Sequence, residues 1–342
     1  MNVVCAHRVA GVMLLALFLA ACGEADQLRE IRGGTMGTTW SAQFVESADT
    51  DTAGLRDELD AALETVNAQM STYREESHIS RFNQAEAGES VALPPEFTVV
   101  LMAALELAEA TDGAFDPTVG PLVNLWGFGP DGPRGEAPPE ELLDAARERV
   151  RWQQLEFEVD GRRLTQPGGV YLDLSSIAKG YAADLLAEVL EGRGIDRYLV
   201  SIGGDMRIRG DKPGGAPWRI AVERPDPGSR DIHTVIEPGD VAMATSGSYR
   251  NFFRDGEQTY SHTIDPLTGY PVPQDLVSVT VLHDSAKMAD GLATAITALG
   301  AERGYRFARE QGLNALLLIS DNEGVAERMT PGFAAYMPQE DD

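Results

Sequence analysis

The chain has 342 residues, a hydrophobic content of 43% and a formal net charge of −26 at pH 7. This hydrophobic content predicts a packed globule and not a disordered chain. The charge argues against nucleic-acid binding, because that role needs clustered Lys and Arg and the sequence has no basic block. Both cysteines, Cys5 and Cys22, lie near the N-terminus, so a chain processed at Cys22 would have no disulfide, zinc–thiolate site or cysteine nucleophile.

The N-terminal segment predicts export. Arg8 precedes an apolar run from Val9 to Ala21, which has the length of a signal-peptide core and is short for a membrane-spanning helix. The run ends in small residues before Cys22, a pattern that resembles the cleavage and lipidation site of bacterial lipoproteins. We expect residues 1–21 to be a signal peptide, residues 22–30 a lipidated tether and residues 31–342 one folded domain. An ordinary signal peptide with an incidental cysteine is the alternative.

Hydrophobic periodicity predicts a mixture of helices and strands in the rest of the chain. The run Gly33–Val45 is β-like, and Asp160-Gly161 marks a hairpin. Helices are predicted at Leu55–Met70, Pro95–Ala110, Pro138–Val150, Ile177–Glu191 and Ala286–Leu299. Strands are predicted at Tyr198–Ile202, Met206–Arg209, Trp218–Val222, Val241–Ala244, Leu276–Leu282 and Asn314–Ile319. Clustered strands with helices between them favour an α+β fold, here a single unit that could have two lobes.

Three segments could contact a planar ring or a phosphate. In Gly33–Trp40, closely spaced glycines allow the backbone to approach a ligand, and Met36 offers an adaptable apolar surface. In Met70–Asn83, Tyr73 could stack on a heterocycle, while the arginines could meet phosphate. The run Asp112–Gly129 is dense in Gly, Pro and aromatic residues, and ordered loops of this kind often line sites. A glycine-rich turn, a helix C-cap with a solvated tail and a rigid connector are the respective alternatives.

The run Leu172–Gly180 joins a strand to a helix whose N-terminus would favour an anion. Ser175 or Ser176 could cap that helix. Lys179 is expected in the first helical turn, where a cation is mildly unfavourable unless it pairs with a negative group. Asp173 and a bound ligand are both candidate partners, so helix capping and ligand binding remain equally open for this segment.

The C-terminal half adds groups suited to catalysis or metal binding. Ala244–Arg250 combines hydroxyls, glycine and arginine at a strand end, and Ser261–Gly269 is a turn that contains His262. The ordinary pKa of a histidine suits proton transfer near neutrality. Asp290 and Thr294 are four residues apart in a predicted helix, so their oxygens share a face. Such oxygens suit magnesium, although the spacing alone favours an N-terminal helix acid with a buried threonine.

Taken in order, these segments resemble the ApbE family, the FAD:protein FMN transferases, from about Gly33 to Gly300. The motifs are Gly-Thr-Met-Gly-Thr, Ser-Thr-Tyr-Arg, Ala-Phe-Asp, the stretch Asp173–Gly180, Ser-Gly-Ser-Tyr-Arg and Ser-His-Thr-Ile-Asp-Pro. The resemblance implies that FAD contacts Met36, Tyr73, Ala114, Phe115, Asp116, Asp173, Lys179 and Ile264. It also implies that Mg²⁺ is held by Ser176, Asp290 and Thr294. Some relatives have a second acid directly before the metal threonine, and its replacement by Ala293 here bears on metal affinity.

By this resemblance, the expected reaction transfers FMN from FAD to a Ser or Thr hydroxyl of a partner protein and releases AMP. His262 is the candidate general base or phosphate positioner, and Asp290 could share that role. The acceptor is expected in a membrane redox complex, and the enzyme is expected to face the periplasm from a lipid anchor, palmitate included, at Cys22. Three alternatives remain: hydrolysis of FAD to FMN and AMP, a lipoprotein that only carries FAD, and a solute receptor unrelated to flavin.

Overall fold

A computed structural model describes residues 26–337, apart from positions 49, 227, 229–230, 248–251, 257 and 322–323. The lipidation candidate Cys22 and the Ser-Tyr-Arg end of one motif, at 248–250, lie outside the described residues. The predicted signal peptide and lipidation therefore stay predictions, while the first strand begins at Gln27, within the predicted tether of residues 22–30. Among the residues that are described, no helix combines the length and the apolar character that a membrane crossing requires.

The described residues form helices and strands that alternate irregularly along the chain. The helices are α1 (Leu55–Met70), α2 (His78–Gln84), α3 (Pro95–Ala110), α4 (Gly120–Leu125), α5 (Glu140–Arg147), α6 (Ser175–Gly192) and α7 (Ala286–Glu310). The strands are β1 (Gln27–Thr35), β2 (Thr38–Glu46), β3 (Ser90–Ala92), β4 (Glu156–Glu158), β5 (Arg163–Thr165), β6 (Tyr198–Ile202), β7 (Asp205–Arg209), β8 (Ile220–Glu223), β9 (Ile232–Ile236), β10 (Ala242–Gly247), β11 (Phe252–Asp255), β12 (Gln258–Ser261), β13 (Leu276–His283), β14 (Asn314–Asp321) and β15 (Gly324–Met329).

An eight-stranded antiparallel sheet, in the order β1-β2-β6-β7-β10-β13-β14-β15, organises the molecule. Alternate residues of a strand point to opposite faces, and both faces of this sheet are covered. Val200 and Leu317 belong to the main core, which α1, α3, α6 and α7 share with the sheet. Their neighbours Leu199 and Leu316 belong to a second core on the other face, with the β8–β9 hairpin and Phe333. The predicted α+β class is confirmed.

The antiparallel pair α6 and α7 packs at very short range. A Cβ atom on Gly180 would lie 2.1 Å from the carbonyl oxygen of Ala286 and 2.8 Å from the Cβ of Asp290. Asp184 of α6 accepts hydrogen bonds from the backbone N–H groups of Ala286 and Lys287, at 2.8 and 3.0 Å. A carboxylate at a helix N-terminus satisfies unpaired N–H groups and complements the helix dipole. Helix α6 therefore fixes where α7 begins and where Asp290 points.

Several predicted boundaries need correction. The run Gly33–Val45 is not one strand, because the chain reverses at Met36 and Gly37, whose φ values are 49° and 71°. Two consecutive residues of positive φ form a tight hairpin turn. The helix expected at Pro138–Val150 spans only Glu140–Arg147, because a residue before proline is held extended and Pro138 precedes another proline. The segment after α1, for which a solvated tail is the alternative interpretation, contains the short helix α2.

Candidate active site

Two buried carboxylates and a partly exposed lysine form an ion cluster where α6, α7 and the β6–β7 turn meet. The Nζ atom of Lys179 is 2.7 Å from Oδ2 of Asp205, and 3.3 and 3.2 Å from the two carboxylate oxygens of Asp290. The backbone N–H of Gly180 also donates to Asp290, at 3.1 Å. Asp205 and Asp290 are only 3% and 5% exposed. Two buried carboxylates share one ammonium, so the fully charged cluster has one excess negative charge.

The pKa shifts in this cluster have opposing causes. Burial raises the pKa of Asp290 and the neighbouring carboxylate of Asp205 raises it further, while Lys179 and the N–H of Gly180 lower it. For Lys179, burial lowers the pKa, but the two carboxylates outweigh this effect and the net shift is upward. Lys179 is therefore held as an ammonium. Its single positive charge does not balance both carboxylates, and the raised pKa of Asp290 shows that the negative charge of this carboxylate is incompletely compensated. A further cation beside Asp290 would relieve this imbalance.

The residues around Asp290 offer oxygen ligands for such a cation. Thr294 follows Asp290 by one turn on α7. Contacts of Gly180 with Asp290, and of Ile177 with Gly291, show that α6 runs backwards along α7. Ser176 lies one turn before Gly180 on α6 and Thr294 one turn after Asp290 on α7, so both hydroxyls follow in the same direction along the helix pair. One carboxylate and two hydroxyls fit Mg²⁺, which takes few protein oxygens and fills its shell from phosphates and water.

A richer metal site is absent from the part of the chain that the structure describes. No group of three or more His, Cys, Asp or Glu side chains is arranged there to hold a metal. Ala293, directly before Thr294, is 1% exposed and contributes no side-chain ligand. A cation bound at Asp290 would therefore take several of its ligands from a bound substrate.

The start of α6 corrects two sequence predictions. The helix begins at Ser175, so neither Ser175 nor Ser176 caps it. Asp173 acts from just outside, because its Oδ1 accepts the N–H and the hydroxyl of Ser175 at 2.9 and 2.6 Å. Lys179 lies in the second turn and not the first, and its side chain meets Asp205 and Asp290 and not Asp173. Asp173 is thus committed to the helix start.

The Ala-Phe-Asp loop is buried and tied to α6. Ala114 and Phe115 are each 3% exposed. The Oδ1 atom of Asp116 accepts the N–H and hydroxyl of Thr118, at 2.7 and 2.6 Å. Burial outweighs these hydrogen bonds and raises the pKa of Asp116 from 3.8 to about 6. The N–H of Asp173 donates to the carbonyl of Pro117 at 2.8 Å, which joins this loop to the helix start.

Aromatic residues, among them Tyr73 and Phe128, form a separate group beside His262. Tyr73 leaves 69% of its surface exposed, while its hydroxyl donates to the carbonyl of Phe128 at 3.3 Å. The ring of Phe128 meets the His262 ring edge-on, with centroids 6.3 Å apart. Ile264, two residues after His262, is 5% exposed and packs in the same aromatic cluster as Trp126. The fixed tip and free face of Tyr73 suit it to stack on a planar ligand.

Met36 occupies a strained position beside a cavity. Its φ of 49° is uncommon for a residue other than glycine, and backbone strain of this kind concentrates at functional sites. A cavity of about 300 Å³ lies between the β1–β2 turn and α1, lined by Met36, Asn67 and Arg74 among others. Arg74 forms two hydrogen bonds to Glu64, at 2.5 and 2.9 Å, so this arginine is already paired with a carboxylate.

The structure thus places the sequence-predicted residues in four groups, which are the ion cluster, the Ala-Phe-Asp loop with Asp173, the aromatic group and the cavity beside Met36, and it adds one residue. Asp205 was not expected from the sequence. It follows the Gly203-Gly204 turn, where both glycines have positive φ, and it pairs across that turn with Ile202. A buried acid directly after a Gly-Gly turn between apolar strands is the signal that could have identified it.

Comparison with known proteins gives the family. The chain belongs to the ApbE family, whose model matches residues 36–317. A curated relative from Vibrio cholerae, named FAD:protein FMN transferase, is 42% identical over 323 residues, which cover 94% of this chain and 96% of the relative. A relative of the same name from Escherichia coli K12 is 34% identical and covers 97% of this chain and 98% of its own length.

Solved structures agree with this assignment. The flavin transferase ApbE from Vibrio cholerae aligns with a TM-score of 0.85 at 41% identity, covering 91% of this chain and 100% of that chain. The apo form of the flavinyl transferase ApbE from Pseudomonas stutzeri aligns with a TM-score of 0.85 at 38% identity, covering 92% and 98%. The family predicted from the motifs is confirmed.

Proposed function

We propose that this chain is an FAD:protein FMN transferase that attaches FMN to a Ser or Thr hydroxyl of a partner protein, depends on Mg²⁺ and releases AMP. The observation that carries the proposal is the buried cluster of Lys179, Asp205 and Asp290, with its excess negative charge, in a chain of the ApbE family. Pure binding of FAD would not require two carboxylates to be buried around a single ammonium, since burying charge is costly.

FAD would bind along these four groups of residues. The exposed face of Tyr73 offers a stacking surface, and Met36 offers an apolar one. The loop of Ala114, Phe115 and Asp116 and the side chain of Ile264 complete the contacts implied by the motifs. The N-terminus of α6 and the ammonium of Lys179 favour an anion, so the pyrophosphate would lie between Asp173 and Asp290.

Asp290, Thr294 and Ser176 would hold the magnesium ion beside that pyrophosphate. When bound, Mg²⁺ supplies neutralisation of the charge that develops on the phosphate oxygens. Asp290 would keep the orientation set by the N–H of Gly180, at 3.1 Å. Lys179 would give the leaving phosphate a second positive neighbour. These groups position the FMN phosphorus for attack by the acceptor hydroxyl.

The reaction is one phosphoryl-type substitution. The acceptor oxygen forms a bond to the FMN phosphorus, the bond from that phosphorus to the bridging oxygen breaks, and AMP leaves. The hydroxyl proton must pass to a base, for which His262 is the candidate and Asp290 the second choice. Water in place of the acceptor would give FMN and AMP, which is the competing hypothesis of an FAD hydrolase.

We further propose that the protein acts outside the cytoplasm, held to a membrane by a lipid on Cys22. The acceptor would then be a subunit of a membrane redox complex that exposes a Ser or Thr. The support is the run of residues 9–22 in the sequence. Mass spectrometry of the membrane fraction tests this directly, because Cys22→Ser should abolish the lipid-bearing N-terminal peptide and release the protein.

The central experiment incubates the full-length protein, in detergent, with FAD, Mg²⁺ and an acceptor that exposes a Ser or Thr. Intact-mass spectrometry should show an FMN phosphoryl adduct on the acceptor and equal AMP release, both abolished by a chelator. Asp290→Ala should lose the adduct while keeping its fold, because it removes the carboxylate ligand. Glu302→Ala, which alters an 80% exposed side chain on the same helix, is the matched control and should keep full activity.

Other outcomes separate the alternatives. Free FMN and AMP without an adduct would favour hydrolysis, and bound but unchanged FAD would favour a carrier. Full activity of Asp290→Ala would show that the metal assignment is wrong.

A further inference from the structure

Asp205 stands opposite Asp290 across the ammonium of Lys179, at the end of the β6–β7 turn. We propose that Asp205 is a positioning residue: it holds Lys179 away from full contact with Asp290, so that Asp290 can receive a divalent cation. This inference rests on the proposed function, because it concerns the same cation. It adds a role for a residue that the sequence motifs do not include.

The distances indicate which carboxylate holds the lysine. Strong bonds between a charged nitrogen and a carboxylate oxygen measure about 2.7–2.9 Å. The contact from Lys179 to Asp205, at 2.7 Å, lies in this range, whereas the contacts to Asp290, at 3.2 and 3.3 Å, are longer. Lys179 is therefore anchored by Asp205 and only shared with Asp290.

The two carboxylates differ in which of their oxygens have other donors. Asp205 lies on a central strand, where β7 pairs with β6 through the register Ile202↔Asp205. Asp205 and Asp290 are almost equally buried, at 3% and 5% exposure, so burial does not distinguish them. Asp290 is held by one backbone N–H, that of Gly180, which occupies one of its two oxygens. The other oxygen of Asp290 is thus contacted by Lys179 alone among the hydrogen bonds of this cluster.

A cation at Asp290 requires that Lys179 withdraw from that oxygen. The side chain of Lys179 is only 33% exposed, and an ammonium that loses its carboxylate partner in such a partly buried place is destabilised. Asp205 removes this cost, because Lys179 keeps a carboxylate at 2.7 Å while it turns toward an anionic substrate. Without the charge on Asp205, the ammonium would settle on Asp290 and compete with the metal.

A double-mutant cycle on the full-length protein tests this role without measuring catalysis. Mn²⁺ alone is titrated into the wild type, Asp205→Asn, Lys179→Met and the double variant, and free Mn²⁺ is measured by electron paramagnetic resonance. Asp205→Asn preserves size, and we expect it to weaken Mn²⁺ binding about tenfold, or about 1.4 kcal/mol. In the Lys179→Met background we expect the same change to have a clearly smaller effect, because the competing ammonium is gone.

The outcomes are exclusive. A smaller effect of Asp205→Asn without the lysine supports positioning through Lys179, while an equal or larger effect means that Asp205 acts on the cation by charge alone and overturns the inference. Because a substrate would supply several of the ligands, each titration is repeated with saturating FAD, and a wild type that binds no Mn²⁺ in either condition would remove the metal from the proposed function, and the inference with it.

Lysine NMR provides a second measurement if Asp205→Asn folds poorly. The sequence has three lysines, Lys179, Lys212 and Lys287, so ¹³C-labelled lysine side chains give few signals, and Lys179→Met assigns the relevant one. For this measurement diamagnetic Mg²⁺ replaces Mn²⁺. When the wild type is saturated with Mg²⁺, the Lys179 signal should remain that of an ordered side chain. A signal that becomes freely mobile on Mg²⁺ binding would show that Asp205 does not hold the lysine.

Discussion

At the scale of single residues, Asp116 combines two opposing influences on one carboxyl. Thr118 donates two hydrogen bonds to its Oδ1, which favours the charged form, but burial raises its pKa from 3.8 to about 6. The folded protein therefore binds this proton more tightly than the unfolded chain does. Protonation of Asp116 therefore contributes fully to the stability of the fold below about pH 4, and this contribution is lost as the pH rises through about 6.

Asp116→Asn should remove this pH dependence, because an amide oxygen can accept the same two hydrogen bonds without carrying charge. A shift of about two pKa units corresponds to about 3 kcal/mol. At about pH 4 the variant and the wild type should have similar unfolding free energies. At about pH 7.5 the unfolding free energy of the variant should be higher by up to about 3 kcal/mol. Urea unfolding at the two pH values measures the gain.

Asp57→Asn is the control, because Asp57 is an exposed acid in the first turn of α1. It should follow the wild type at both pH values. If Asp116→Asn also follows the wild type, burial of Asp116 does not govern its protonation.

At the scale of elements, the contact between α6 and α7 depends on one glycine. No side chain fits at Gly180, because its Cβ would lie 2.1 Å from the carbonyl oxygen of Ala286. Gly180→Ala must push α7 away from α6, and overpacking of this kind costs about 1–3 kcal/mol. The displaced helix carries Asp290, so we expect Gly180→Ala to lose both unfolding free energy and most FMN transfer.

Gly192→Ala is the matched control for Gly180→Ala. Gly192 closes the same helix, and a Cβ there would meet nothing within 4 Å. Alanine is favoured over glycine in a helix by about 0.5–1 kcal/mol, so the control should keep or raise stability and keep its activity. Equal behaviour of the two variants in thermal unfolding and transfer assays would mean that the close helix contact does not position Asp290.

At the scale of the whole molecule, the sequence predicts local structure better than it predicts the partners of charged groups. The bounds of α1 and α3 match their predictions, because apolar spacing and an N-terminal proline are local signals. For Lys179 the sequence suggests Asp173, six residues away, or a bound ligand as partner, whereas in the structure Lys179 pairs with Asp205 and Asp290, which are 26 and 111 residues away. Only the packing of α6 and α7 on the sheet brings these groups together, and no periodic pattern encodes it.

The same long-range assembly predicts that FAD and Mg²⁺ stabilise the fold cooperatively. The cation would join Asp290 on α7 to a pyrophosphate at the start of α6, so each ligand would improve the site of the other. A ligand that binds only the folded state raises unfolding free energy by about 2.7 kcal/mol at one hundred times its Kd. We expect the rise in thermal stability with both ligands to exceed the sum of the separate rises, by a coupling of about 1–3 kcal/mol.

Asp290→Asn separates this coupling from simple binding, since it leaves the stacking and loop contacts of FAD in place and weakens the cation ligand. The variant should retain the stabilisation by FAD alone and lose the excess that Mg²⁺ adds, and a chelator should reduce the wild type to the same level. Additive stabilisation in the wild type would place the cation away from the pyrophosphate. Because Asp290 is attached to both helices, through its own position on α7 and the N–H of Gly180 on α6, a change in its ligation should be transmitted to the unfolding of the whole domain.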